Sequence, residues 1–244
     1  MADRLFSEPS LAGLYDALCA GRDDFDFYLP LVMSARAVLD VGCGTGELLH
    51  RARDAGHKGR LCGLDPAEAM LGQARRRADI ECVLGDLESV GWDGEFDLVV
   101  MTGNAFQVLV GDDELRTALA AIRSALTDAG RFVFETRNPA VREWERWTAD
   151  NVAEVTDTDG AVVRSWPEAE TPGEGDVVSF TQTFTRAGWD GPQTSRSTLR
   201  FLGADSLSSF LTEAGLAVAD QFGDWDGQPL TAASREIVTV AVRS

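Results

Sequence analysis

The stretch Ala37–His50, AVLDVGCGTGELLH, constrains this chain more than any other. Val38, Leu39 and Val41 form the short apolar run that a strand covered on both faces requires, and Asp40 interrupts it near its end. Gly42, Gly44 and Gly46 follow at alternate positions. Glycine takes φ > 0 freely and, lacking a Cβ, lets another group come close to the backbone. A helix starting near Thr45 to Glu47 then points its free N–H groups and the positive end of its dipole at whatever lies over the turn.

Glycine turns occur in many loops, and this one does not match the dehydrogenase spacing GxGxxG. Its surroundings say more. The apolar run Leu61 to Leu64 ends in Asp65, 19 residues after Gly46, where a strand-end carboxylate can take the two hydroxyls of a ribose. Ile80 to Leu84 ends in Gly85-Asp86-Leu87, and Phe96 to Met101 ends in Thr102-Gly103-Asn104. A doubly wound α/β sheet gathers such strand ends along one edge, where ligands bind.

The segments VLDVGCGTG, GLDPAEAML, GDLES, FDLVVMTGNAFQVL and GRFVFET lie in this order between residues 37 and 137. Together they resemble the motifs of the class I S-adenosylmethionine-dependent methyltransferases, and most closely the small-molecule enzymes of bacteria. The resemblance implies a seven-stranded, mostly parallel Rossmann-like sheet and S-adenosylmethionine as cofactor. It implies cofactor contacts from Asp40, Gly42, Cys43, Gly44 and Gly46, then from Asp65, Pro66 and Met70. Asp86 would accept from the adenine amino group, with Leu87 flanking the ring. Thr102, Asn104 and Phe106 would stand near the reactive methyl, Phe106 toward the substrate. Tyr15 would reach the methionine portion from the N-terminal segment, with Tyr28 and Phe27 behind it. Three of these positions have a plainer reading: Asp65 as a helix N-cap that can also serve a ribose, Asp86 as a turn residue, and Asn104 as a cap.

Composition narrows the partners. A formal net charge of -18 argues against a nucleic-acid backbone or an anionic membrane, leaving a small-molecule methyl acceptor as the expected partner of a monomer or homodimer. Cys19, Cys43, Cys62 and Cys82 have no CxxC spacing and read as reduced core thiols of a cytoplasmic protein. No apolar run is long enough to span a membrane, and MADRLFSEPS lacks a signal peptide's basic and apolar regions. His50 and His57 have no partner at metal spacing and read as structural, so no metal is expected.

Four segments follow from these patterns. Residues 1–36 form an N-terminal helical cap, with a helix around Ser10 to Ala20 that carries Leu11, Leu14, Tyr15 and Leu18. Residues 37–140 form the cofactor-binding core. Its helices run from Glu47 to Ala55, from Pro66 to Arg77, and from an Asp112 cap to Asp128, with Gly130 beyond. A fifth strand, Gly130 to Thr136, brings Glu135 and Arg137 to the carboxyl edge, as substrate contacts or as a structural pair. Residues 141–200 hold Trp144, Trp147, Trp166 and Trp189 and alternating segments parted by TPGEGD and WDGPQT. This is the pattern of a small antiparallel sheet, inserted as an acceptor lid or as an edge cover. Trp144 and Trp147 are the lid's substrate candidates, joining Tyr28 and Phe106. Residues 201–244 complete the core sheet, with Asp205 capping a helix over Ser206 to Ala214 and last strands at Leu216–Phe222 and Glu236–Val242.

The resemblance implies in-line displacement of the methyl group, which needs alignment more than side-chain chemistry. Glu135, Tyr15 or a lid residue could act as base, and nothing singles out a catalytic residue. Two other readings stay open. A nicotinamide-dependent oxidoreductase shares the glycine turn and Asp65 but lacks GxGxxG and a Tyr-x-x-x-Lys pair. A non-catalytic S-adenosylmethionine-binding module would act through partner contacts.

Overall fold

The computed structural model describes residues 3–170 and 175–244. Met1, Ala2 and the Thr171–Glu174 part of the TPGEGD separator lie outside the described residues. Three single-turn helices, α1 (Arg4–Ser7), α2 (Pro9–Ala12) and α3 (Tyr15–Leu18), precede α4 (Asp24–Ser34). β1 (Ala37–Val41), α5 (Glu47–Asp54), β2 (Arg60–Asp65), α6 (Glu68–Ala74), β3 (Glu81–Leu84) and β4 (Phe96–Met101) then alternate. A 3-10 turn at Ala105–Val108 leads into α7 (Asp112–Ala125) and β5 (Leu126–Arg137). After two further 3-10 turns come β6 (Ala153–Thr156), β7 (Val162–Ala169), β8 (Val177–Arg186) and β9 (Gln193–Arg200). The chain closes with α8 (Ala204–Glu213), β10 (Leu216–Phe222) and β11 (Glu236–Arg243).

Seven strands form one sheet in the order β10-β11-β5-β4-β1-β2-β3, and β6 to β9 form a separate antiparallel meander. In the large sheet β1 to β5 pair in parallel, while β11 runs antiparallel between β5 and β10. This is the expected doubly wound architecture. Because side chains alternate along a strand, neighbours in sequence feed opposite cores. Leu39, Val99, Phe132 and Phe134 pack with Leu115, Leu119, Ile122, Leu207 and Leu211 on the α7/α8 side. Val38, Leu98, Val100 and Val133 pack with Phe25, Tyr28, Val32, Leu48 and Leu49 on the α4/α5 side.

The helix expected over Ser10 to Ala20 is two separate turns broken at Gly13 and Leu14. Its apolar residues serve two bodies at once. Leu11 and Leu14 pack with Val163 and Phe184 of the small sheet, while Ala12 and Tyr15 pack with Ala67 and Met70 of the core. Leu5 N donates to Ser195 Oγ at 2.8 Å and Gln73 Nε2 to Ala12 O at 2.9 Å, so the segment straps one sheet to the other.

Four helix ends also differ from expectation. Helix α6 starts at Glu68, leaving Pro66 ahead of it, because Ala67 is extended and gives its N–H to Asp65. Helix α7 is preceded by an extended Gly111, and Glu114 Oε2 accepts from the N–H groups of Val110 and Gly111, so Asp112 lies inside the helix. Leu126 already turns extended, and β5 begins there with Gly130 inside the strand, where a Cβ would meet Phe96 O at 2.9 Å. In α8 the N-cap is Gly203, and Asp205 caps nothing.

Candidate functional site

The glycine turn is held from below by the next strand. Gly42, Gly44 and Gly46 all have positive φ, at 72°, 56° and 75°. Leu64 O accepts from Gly42 N at 2.8 Å, and the Asp65 carboxylate takes Gly44 N on Oδ2 and Ala67 N on Oδ1, each at 2.8 Å. Asp65 thus ties the first turn to the second and still has a lone pair on each oxygen for a further donor. A Cβ on Gly42 would stand 2.9 Å from Ala105 Cβ, and one on Gly44 3.1 Å from Met70 Cε.

Beside this turn lies a cavity of about 230 Å³ lined by Tyr15, Asp16, Cys19, Arg22, Phe25, Asp40, Gly42, Cys43, Gly44, Thr45, Arg51 and Thr102, among others. Cys19 and Cys43 therefore line a cavity, whereas Cys62 is the buried thiol expected of a core position. Thr45 Oγ1 donates to Asp16 Oδ1 at 2.6 Å, closing the N-terminal strap onto the glycine turn. Burial pushes the Tyr15 hydroxyl pKa above its ordinary range. Arg22 grips Asp24 through Nε at 3.0 Å and through Nη2. Its guanidinium lies 4.4 Å from the centre of the Phe25 ring, and that of Arg51 lies 4.6 Å from it. Asp16, Arg22, Phe25 and Arg51 were not legible as site residues, since they carry no motif and sit in segments read only for apolar spacing.

Charge is unbalanced here. Asp24, Asp40, Asp65 and Glu135 are all buried, and Arg22 is the guanidinium that pairs with Asp24. Asp40 is 1% exposed and its Oδ1 has no partner; burial lifts its pKa to about 7, opposed by Arg22 and reinforced by Asp65 and Glu135. Glu135 is fully buried, accepting from Tyr28 Oη and, at 2.9 Å on Oε1, from Asn104 N. Burial lifts Glu135 to about 7 as well, against those two hydrogen bonds. Glu135 itself raises the Tyr28 hydroxyl beyond what burial alone does.

The remaining expected residues lie apart from this cavity. Asp86 is exposed and accepts from Glu88 N and Ser89 N, as its turn reading required, while Leu87 joins the α7/α8 core. Phe106 corrects its expectation: it stacks on Phe134 at 4.2 Å between ring centres and is core, because the 3-10 turn after Asn104 folds it under the sheet. Asn104 adopts the left-handed conformation and caps nothing with its side chain. Glu135 and Arg137 form no pair, since Arg137 turns to Gln107 Oε1 at 3.0 Å and Glu143 at 3.7 Å. Trp144 and Trp147 pack on Phe201, with Trp147 also on Phe180. His50 and His57 bond the carbonyls of Ala74 and Ala35.

A family model described as a methyltransferase domain matches residues 38–130. A cypemycin N-terminal methyltransferase from a Streptomyces species is 31% identical over 229 residues, covering 86% of this chain and 84% of the relative. The chain belongs to the S-adenosylmethionine-dependent methyltransferases. Two solved methyltransferases share the fold of this family member. The CcbJ methyltransferase of Streptomyces caelestis is 22% identical with a TM-score of 0.74, covering 96% of this chain and 98% of its own. CalS10 of Micromonospora echinaspora, an amino pentose methyltransferase, is 24% identical with a TM-score of 0.69, covering 95% and 97%.

The methyltransferase's own residues fit the cofactor's charge and shape. S-adenosylmethionine carries a sulfonium, an ammonium and a carboxylate; the cavity offers an orphaned buried carboxylate oxygen, surplus negative charge, two guanidiniums and a turn without Cβ atoms. Among the described residues no helix is long and apolar enough to cross a membrane.

Proposed function

We propose that this methyltransferase moves a methyl group to an amine of a small organic acceptor. The observation that carries the cofactor half is the unpartnered Oδ1 of the buried Asp40 beneath the glycine turn, in the cavity that Arg22 and Arg51 also line. The amine half is supported by the 31% identical relative, whose name places its methylation at the N-terminus of cypemycin.

Bound S-adenosylmethionine would supply a methyl group on a sulfonium, open to in-line attack by an acceptor lone pair. In this reading the protein's work is placement and water exclusion, worth up to roughly 7 to 11 kcal/mol. Arg22 and Arg51 take the cofactor's carboxylate, and Asp40 with Tyr15 takes the rest of the methionine portion. Gly42, Cys43, Gly44 and Gly46 let the ligand lie against the backbone, with Met70 behind them and Pro66 at the rim. Asp65 accepts from the ribose on its remaining lone pairs. Asp86 and Leu87 flank the adenine, and Thr102 and Asn104 border the transferred group. Tyr28 holds Glu135 in place, while Arg137 at the end of β5 and Trp144 and Trp147 in the segment that leads into the inserted sheet face the acceptor, and that sheet serves as the lid. The strap of residues 1–36 closes over the 37–140 core, and 201–244 completes it. The protein works in the cytoplasm as a monomer or homodimer.

Calorimetric titration with S-adenosylmethionine, S-adenosylhomocysteine, NAD and NADP tests this. Saturable binding of the first two alone is the expected result; binding of a nicotinamide cofactor alone would overturn it. Mass spectrometry of a short peptide and its N-acetylated twin after incubation with S-adenosylmethionine tests the acceptor: only the free amine should gain 14 mass units per transfer, roughly.

A further inference from the structure

Buried polar side-chain atoms are almost always hydrogen-bonded, so those that are not call for a reason. Among the described residues eight buried side-chain atoms have no hydrogen-bond partner. Two belong to Arg186 and Arg200, which sit 2.5 Å from Asp157 and 2.7 Å from Asp112 in ion pairs. The other six are Asp40 Oδ1, Asn104 Oδ1, Thr136 Oγ1, Glu236 Oε2 and the indole nitrogens of Trp144 and Trp225. All six lie at the carboxyl edge of the large sheet or in the loops that leave it. Asp40 and Asn104 are accounted for by the cofactor. The remaining four, Thr136 on β5, Glu236 on β11 and the indoles of the loops after β5 and β10, have no such account.

Glu236 stands out among them. It is 7% exposed and opens β11 directly opposite Arg137. Arg137 would be its natural partner, but that guanidinium is drawn to Gln107 and Glu143. Arg235 also goes to Glu143, at 2.7 Å. Glu135 is held by Tyr28 and Asn104. Three carboxylates therefore meet here, and Glu236 is the one left with a buried oxygen that nothing donates to. Since Val238 opposes Glu135, Glu135 and Glu236 share a face as diagonal cross-strand neighbours, about 7 to 8 Å apart. Glu135 in turn holds Asn104 N at the end of β4. Glu236 is thus one diagonal step from Glu135, whose hydrogen bond to Asn104 N leads on to the β4 end assigned above to the transferred methyl. Burial lifts its pKa to about 7, with Arg137 and Arg235 opposing and Glu135 and Glu143 reinforcing.

We infer that Glu236 receives the cationic amine of the methyl acceptor and takes a proton from it, and so selects amines over hydroxyls. This rests on the amine reading proposed above. The ammonium donates to Oε2 and passes one proton to the carboxylate, leaving a neutral amine. The amine lone pair forms the new N–C bond while the C–S bond breaks and its electrons return to sulfur. The methylated ammonium departs, and Glu236 releases its proton to water.

The test is calorimetric titration of the protein saturated with S-adenosylhomocysteine, using benzylamine and benzyl alcohol as probes at about pH 8. Wild type should bind benzylamine about tenfold tighter than the alcohol, as expected for a charge-assisted contact. Glu236→Gln should erase that preference, and Glu236→Asp should keep part of it. All three proteins should hold S-adenosylhomocysteine within about twofold, which shows that each is folded. The wild-type preference should shrink at about pH 6, where Glu236 is protonated. No preference in wild type, or one that survives in Glu236→Gln, overturns the inference. Failure of S-adenosylhomocysteine to bind wild type would instead overturn the cofactor assignment, and the same two probes on the ligand-free protein would still decide whether Glu236 prefers a cation.

Discussion

The two ends of the sheet's carboxyl edge are built differently. At β1 and β2 the turns are anchored by backbone: each oxygen of Asp65 takes an N–H and the glycine turn hangs from Leu64 O, with Asp40 Oδ1 the one buried oxygen there that has no donor. At β5 and β11 the buried Glu236 oxygen and the Thr136 hydroxyl have nothing, although arginines lie nearby. The first end is organised before any ligand arrives, as a site for one invariable cofactor can be. The second keeps polar groups open, which disfavours the empty fold and is repaid only by a ligand that fits.

Removing the anchor should have the largest effect. Asp65→Ala deletes two carboxylate hydrogen bonds and strands two N–H groups, so chemical denaturation should show a loss of about 3 kcal/mol or more. Unchanged stability would erase the contrast between the two ends. Next comes Asp40→Asn. Its folded pKa of about 7 exceeds that of an unfolded aspartate, so burial of the charge weighs against the fold progressively as pH rises from about 4 through 7. The variant should therefore gain stability relative to wild type between about pH 5 and 8, by roughly 4 kcal/mol at most, while losing affinity for S-adenosylmethionine. A pH-independent difference would sink this account of Asp40.

Gly44→Val should cost about 1 to 2 kcal/mol from φ alone, with further strain against Met70 and loss of cofactor binding. The new side chain meets Met70 and Tyr15, so the variant reports on their packing as well as on ligand space. Full cofactor affinity in the folded variant would separate the turn from the site. The smallest effect should come from Thr136→Val, which replaces an orphaned hydroxyl by a methyl of similar shape. Thermal unfolding should show a change of about 0 to 1 kcal/mol in the stabilising direction. Clear destabilisation would mean that the β5/β11 end is as well satisfied as the other.

Much of the architecture was legible. The strands at Ala37–Val41 and Phe96–Met101, and the helix after Asp112, follow from local apolar period and glycine placement, and Glu135 was visible at the edge. Helix starts were less so, because Asp112 and Asp205 have the chemistry of caps while Gly111 and Gly203 have the backbone. The N-terminal segment was misread for a different reason. Its helical stripe is real, but Leu11 and Ala12 answer to two separate bodies, and one straight helix cannot face both.

Sequence alone determined the succession of strands along the chain, the glycine turn and the carboxylates at strand ends, since each depends on residues close together in the chain, and the cofactor came with the family those motifs resemble. Only the tertiary structure decided which of those carboxylates are satisfied. Whether Arg137 meets Glu236 or Glu143, whether Phe106 points at a ligand or into the core, and whether Arg22 stands beside Asp40 depend on contacts between segments far apart in sequence. Hydrogen-bond partnership reaches only about 3 Å, and no local pattern carries that distance.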